Sequence, residues 1–173
     1  MRAVKLAELL SARLVAAELA ATTKAGALDE LAQRRSELAQ RVNDLAGGGA
    51  GRGLGLPGRI LEERILHVLL ERERLGSTGL GHGVALPHGR LPGLEGFLLG
   101  LDRSRPGVDF DADDGEPAHL VALLVSPEGT TRHLLALAGL ARLLRDAAVR
   151  DRLLSAASAE AMEDVLLAAL AEV

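Results

Sequence analysis

Apolar positions change period several times along the chain, and each change predicts an element. Leu28, Leu31, Leu38, Val42 and Leu45 keep three-and-four spacing, which predicts a helix over about 25–45 that Thr22 or Thr23 can cap. From Arg59, the positions Leu61, Ile65, Val68 and Leu69 mark a second helical stripe, with Arg72 in line with it and Arg74 off it. Short apolar runs at 14–19, 84–86, 96–102 and 118–125 read as strands, and the last is apolar on both faces, as a central strand requires. A short helix is expected over 4–10, and amphipathic helices over about 147–156 and 159–171. Residues 127–131 lead into one more helix, capped by Thr130 or Thr131, which puts His133 in its first turn. Strands alternating with helices, with a hairpin turn around 107–115, predict an α/β fold with a mixed sheet of four or five strands.

Residues 47–57 are glycine-rich and can neither pack nor hold a helix. Two readings stand for this segment and the long helix before it: a surface insertion tolerated because loop lengthening costs little entropy, or a partner-binding element.

Chemistry concentrates in residues 72–90. Gly76, Gly79, Gly81 and Gly83 permit close backbone approach or positive φ, so their N–H groups could form an anion-holding concavity. The strand at 84–86 is expected to stop where Pro87 withholds a donor, leaving His88 at a strand end before a flexible Gly89. With an ordinary pKa of about 6.5, roughly three quarters of such imidazoles are neutral at pH 7, and a neutral imidazole is a nucleophile that needs no partner base. Arg72, at the core-facing end of its helix, must find anions or carbonyl acceptors. Ser77 and Thr78 are either hydroxyl donors to a bound anion or ordinary turn residues.

Composition narrows the field. The 173 residues fit one domain spanning 1–173, and a net charge of −4 argues against a nucleic-acid partner. Aromatic residues make up 1% of the chain, which removes base-stacking platforms as well. There is no cysteine for disulfides or thiolate zinc, no signal-peptide pattern at the start, and no apolar run long enough to span a membrane. A soluble, cytoplasmic protein without membrane insertion is expected. Asp109, Asp111, Asp113 and Asp114 lack the closing glutamate and flanking helices of a calcium loop, and read as a solvated hairpin. His82, His88, His119 and His133 could be imagined as zinc ligands, but no carboxylate-bearing helical ligand pair accompanies them. Of the rest, His67 lies off its helical stripe and reads as exposed, and His119 reads as packed at a strand start. No cofactor or metal is called for.

The run Gly76-Ser-Thr-Gly-Leu-Gly-His-Gly-Val-Ala-Leu-Pro-His88-Gly-Arg-Leu-Pro-Gly-Leu94 resembles the phosphorylation-site motif of type-2 enzyme IIA domains of the bacterial phosphotransferase system. Leu6 to Leu10, Ala21 to Ala25, Gly107 to Asp111 and His133 to Asp146 resemble further parts of that family, so the likeness covers most of the chain. It implies a mixed sheet flanked by helices on both faces, and a phosphoryl group carried on His88. Arg72 then matches a family arginine beside the phosphorylated histidine, and its alternative is a structural salt bridge. His133 matches a second histidine able to hydrogen-bond a phosphoryl oxygen, its alternative being a helix-start residue with no role. Ser77, Thr78 and Gly89 complete the implied phosphoryl loop. The implied donor is HPr or its nitrogen-branch counterpart, and the implied recipient is a IIB domain or a regulated target. A chain ending at Val173 without a IIB cysteine or permease helices reads as a stand-alone IIA, closer to nitrogen-regulatory proteins than to fructose- or mannitol-transport components.

Overall fold

The computed structural model describes residues 14–45, 58–94 and 96–172; the expected helix over 4–10 and the segment 47–57 lie outside them. In chain order the elements are β1 (Leu14–Glu18), α1 (Lys24–Leu45), α2 (Gly58–Arg74), β2 (Gly79–Gly81), β3 (Val84–Ala85), β4 (His88–Leu91), β5 (Leu98–Val108), β6 (Ala118–Pro127), α3 (Arg132–Arg145), α4 (Ala147–Ser155) and α5 (Ala159–Ala171). Among the described residues six strands form one mixed sheet in the order β1-β5-β6-β3-β2, and β4 also pairs with β6. β5 and β6 are antiparallel, whereas β1 runs parallel to β5, and both β3 and β4 run parallel to β6.

The period-two alternation of β6 divides the core. Leu120, Ala122 and Leu124 pack under α3, α4 and α5 with Leu140, Leu153 and Leu166. Val121, Leu123 and Val125 pack on the other face with Leu28 and Leu31 of α1 and Ile65 and Leu69 of α2. β6 is therefore buried on both sides, as its unbroken apolar run requires. Helix starts follow local chemistry. Thr23 Oγ1 accepts from Gly26 N at 3.2 Å, Asp146 accepts from Ala148 and Val149, and Ser158 accepts from Ala161. At α3 the backbone N-cap is Thr131, but the hydroxyl that accepts is that of Thr130, from Arg132 N at 3.2 Å.

β5 continues well past the 96–102 run, through residues whose polarity hides a strand. Arg103 is buried because its guanidinium donates to the carbonyls of Leu153, Leu154 and Ala156, where α4 ends, and pairs with Glu18. Asp102, also buried, is bound by Arg34 Nη1 at 2.9 Å and by the fully buried Arg35 Nη2 at 2.7 Å. Burial pushes the Asp102 carboxyl up and the Arg35 guanidinium down, while each partner's charge opposes the shift. Removing one member leaves the other charge buried and uncompensated. Asp102→Ala is therefore expected to lower stability by about 3–5 kcal/mol in urea unfolding. A loss below about 1 kcal/mol would show that the arginines find other acceptors. No helix among the described residues is long and apolar enough to cross a membrane.

Candidate active site

The site is built on the strand that Pro87 was expected to end. Val84 pairs with Leu120, and four residues later His88 pairs with Leu124, so the register along β6 runs unbroken through the proline. Pro87 withholds a donor, but its carbonyl still accepts from Leu124 N at 3.1 Å. β3 thus ends before Pro87 as expected, and His88 stands at a strand end, though at the start of β4 and in the same register rather than beyond the last strand residue. A Cβ at Gly89 would lie 2.9 Å from Val68 Cγ2, so glycine is what lets α2 approach the strand. Alternation then sends Gly89 and Leu91 toward α2, and His88 and Arg90 toward the face of Leu124 and Ser126, under α3.

Two hydrogen bonds fix the imidazole. Nδ1 of His88 lies 2.8 Å from the carbonyl oxygen of Leu86, which can only accept, so the ring proton sits on Nδ1. Nε2 keeps its lone pair and accepts from Arg72 Nε–H at 3.0 Å. The same guanidinium donates through Nη1 to Gly76 O at 2.9 Å, and among the described residues it meets no carboxylate. Burial holds His88 below the ordinary histidine range and the Arg72 charge reinforces this, against the Leu86 hydrogen bond and the carboxylate of Glu73.

His133 is the second residue of α3. Its ring centroid lies 5.8 Å from that of His88, the planes inclined at 47°. It is 4% exposed, and its Nδ1 is 2.6 Å from Ser126 Oγ. Burial, then the charge of Arg90 and the neighbouring His88, push its pKa down to about 4. Both imidazoles are therefore neutral at pH 7. Two cavities, of about 460 and 510 Å³, meet at Arg72 and His88; His133 and Arg90 line the first, and Leu80, Leu86 and Ala141 the second. Leu75 and Leu134, 85% and 62% exposed, stand at their rims.

Ser77 and Thr78 line the second cavity, but their hydroxyls are engaged within the loop. Ser77 Oγ donates to Phe110 O and accepts from Gly79 N, while Thr78 Oγ1 donates to Glu73, whose carboxylate also receives Thr78 N and Lys24 Nζ. In this structure Ser77 ties the loop to the backbone at Phe110, and Thr78 ties it to α2. The glycine run forms β2 and its turn to β3, and the amide of His82 donates to Asp114 rather than into the cavities. Nor are four histidines gathered for a metal. His67 and His82 are exposed, His119 Nδ1 bonds to Ser104 O at 3.0 Å, and among the described residues no three metal-ligating side chains converge. Arg90 is the residue that sequence reasoning missed. Its signal was the two-residue step from His88, visible only if the strand continues past Pro87.

This pair of neutral histidines, with arginines from a helix end and from the strand, lies inside a recognised sequence family. Residues 8–169 match the family described as "Phosphoenolpyruvate-dependent sugar phosphotransferase system, EIIA 2". The chain belongs to that family. It is 48% identical over 109 residues to a nitrogen regulatory protein of Bradyrhizobium diazoefficiens, covering 61% of this chain and 69% of that one. It is 39% identical over 99 residues to the fructose-specific EIIABC component of Bacillus subtilis, covering 57% of this chain and 16% of the other. Among solved structures, the nitrogen regulatory protein IIA-Ntr of Neisseria meningitidis superposes with a TM-score of 0.67 at 32% identity, over 93% of this chain and 98% of that one. The mannitol IIA of Escherichia coli shares the fold, with a TM-score of 0.57 at 22% identity over 87% of this chain and 94% of its own.

The depressed histidine at position 133 has a consequence for stability. The unfolded ring binds a proton near pH 6.5, whereas the folded ring refuses one until about pH 4, so between these values the unfolded state binds more protons. Stability contributed by His133 is thus present above pH 6.5 and lost as the pH falls toward 4. The expected loss is on the order of 2 kcal/mol, the full shift being discounted because the ring lines a cavity open to solvent. Urea unfolding at pH 7 and pH 4.5 should show a shallower acid decline in His133→Asn than in the parent. Equal declines would mean that the ring titrates normally.

Proposed function

We propose that this protein is a phosphocarrier that accepts a phosphoryl group on Nε2 of His88 from a phosphohistidine on HPr or its nitrogen-branch counterpart. The observation that carries the reading is the bond from Nδ1–H to the Leu86 carbonyl, which leaves the Nε2 lone pair as the ring's nucleophile, beside the cationic Arg72. In the step, a bond forms between Nε2 and phosphorus while the donor's N–P bond breaks and its electron pair returns to the donor imidazole. The acceptor's Nδ1 keeps its proton throughout, so no external base is needed. Arg72 releases Nε2 as the phosphorus arrives and turns its donors to the phosphoryl oxygens; Arg90 and His133 stand on the cavity side of the same group. Catalysis is positioning plus charge stabilisation, with no metal required. Gly89 serves by closeness, and Ser77 and Thr78 by holding the loop. The exposed Leu75, Leu134 and Leu135 would meet the donor's apolar surface around the reacting atoms.

Among the family's roles, a cytoplasmic nitrogen-regulatory protein is favoured, because relatives of that name match at the higher identities. Its phosphorylation state would then set the binding of a target protein through the charge added at His88. The second reading, a sugar-transport IIA that hands the group to a separate IIB domain, is supported by the fructose-specific relative and by a fold neighbour solved as a complex of IIA and phosphorylated IIB from Escherichia coli mannitol transport. Incubating the phosphorylated protein with a fructose-type IIB domain separates them. Retention of the group supports the regulatory reading, and rapid transfer to the IIB cysteine supports the transport one.

A further inference from the structure

The first-turn histidine of α3 can help a phosphoryl group only if it presents a proton to it. A neutral imidazole carries one N–H, and its place is decided by the partner of the other nitrogen. For His133 that partner is Ser126, which the family reading does not use.

Ser126 is fully buried near the end of β6, opposite Arg90 of β4 and on the face covered by α3. Its hydroxyl has one proton and two neighbours, His133 Nδ1 at 2.6 Å and the carbonyl of the next residue, Pro127, at 3.2 Å. If the hydroxyl donates to Pro127, His133 must hold its proton on Nδ1 and turn a lone pair toward the cavity, where it would repel a phosphoryl oxygen. If it donates to Nδ1, the ring proton sits on Nε2, the nitrogen left to face the anion. Distance decides between them: 2.6 Å is short even for a hydroxyl donor, whereas 3.2 Å is beyond the usual O–H···O range.

We propose that Ser126 is a positioning residue, whose hydroxyl donates to Nδ1 of His133 and so holds that ring in the Nε2–H tautomer required to hydrogen-bond a phosphoryl group on His88. The contribution to catalysis rests on the phosphocarrier reading; the tautomer does not. A hydroxyl at 126 is needed, but it never touches the reacting atoms. The same device sits across the cavity with the opposite sense: Leu86 O, which can only accept, puts the proton of His88 on Nδ1, and Ser126, which donates, puts that of His133 on Nε2.

The test is a ¹⁵N spectrum of the histidine rings in the parent, Ser126→Ala and Ser126→Thr, at pH 7. In the parent, His133 should show a protonated Nε2 and an unprotonated Nδ1. Ser126→Thr should retain this state, and Ser126→Ala should lose it, becoming a mixture or moving to Nδ1–H. In quenched-flow transfer from a phosphorylated histidine carrier, Ser126→Ala should lose about tenfold in kcat with the donor KM unchanged, and Ser126→Thr should recover it. A parent ring with its proton on Nδ1 overturns the proposal, whether or not either variant folds, and so does an unchanged tautomer in folded Ser126→Ala. A parent that accepts no phosphoryl group from any histidine carrier removes the phosphocarrier reading, while the ring spectra still decide what Ser126 does.

Discussion

Replacing His88 by Gln is expected to leave a folded protein that takes up no phosphoryl group at all. The glutamine amide fills much of the ring's place and can donate to Leu86 O, so the strand keeps its anchor. What it lacks is a nitrogen lone pair. An amide nitrogen is delocalised into its carbonyl, and among the described residues no other side chain is positioned to substitute: Nδ1 of His133 is engaged by Ser126, and its ring centre lies 5.8 Å from that of His88. The measurement is intact mass after incubation with phosphoenolpyruvate, enzyme I and a histidine carrier. The parent should gain one acid-labile phosphoryl group and His88→Gln none. Labelling of the variant at the parental rate would place the chemistry elsewhere and dismantle the site described above.

The second large effect is expected at Arg72. Its Nε–H occupies the Nε2 lone pair of His88, so on the proposed function its guanidinium is the cation that meets the transferring group. Arg72→Met keeps the aliphatic bulk at the end of α2 but removes every donor, and the phosphorylation rate should fall by about 10²–10³-fold, the usual range for deleting one preorganised stabiliser. Arg72→Lys should recover only part of this, because an ammonium cannot span two phosphoryl oxygens with a planar fork. The readout is the single-turnover rate, since slower chemistry at unchanged donor affinity is the mark of a group acting in the transition state. A parental rate in folded Arg72→Met would reduce the arginine to a clasp on Gly76 O.

Much of this arrangement could be read from the chain. The helical spacing of Leu28 and Leu31, the period at 61–69 and the apolar run of β6 each reported a buried face directly. What stayed hidden had physical causes. Pro87 does mark the end of β3, but that a strand resumes in register at His88 depends on the carbonyl of Pro87 finding Leu124, 37 residues away in sequence. The strand run read at 96–102 stops short of Arg103 and Ser104 because the carbonyls that satisfy Arg103 belong to the end of α4. Ser77 and Thr78, two hydroxyls in a glycine loop, allowed two readings, and only the fold shows Phe110 O and Glu73 taking them up. Ser126 gave no sign, since a serine closing an apolar strand does not announce that a helix will lower a histidine onto it.

α2 links two regions of different kinds. It starts at Gly58, directly after the glycine-rich segment 47–57, and 14 residues later carries Arg72 to the nucleophile, a span of roughly 20 Å at the rise of an α-helix. A fluorescent domain or affinity handle spliced into 47–57 would thus be followed by the end of α2 opposite to Arg72. On the proposed function, a label there would report on phosphorylation at His88 from the opposite end of the helix that carries Arg72.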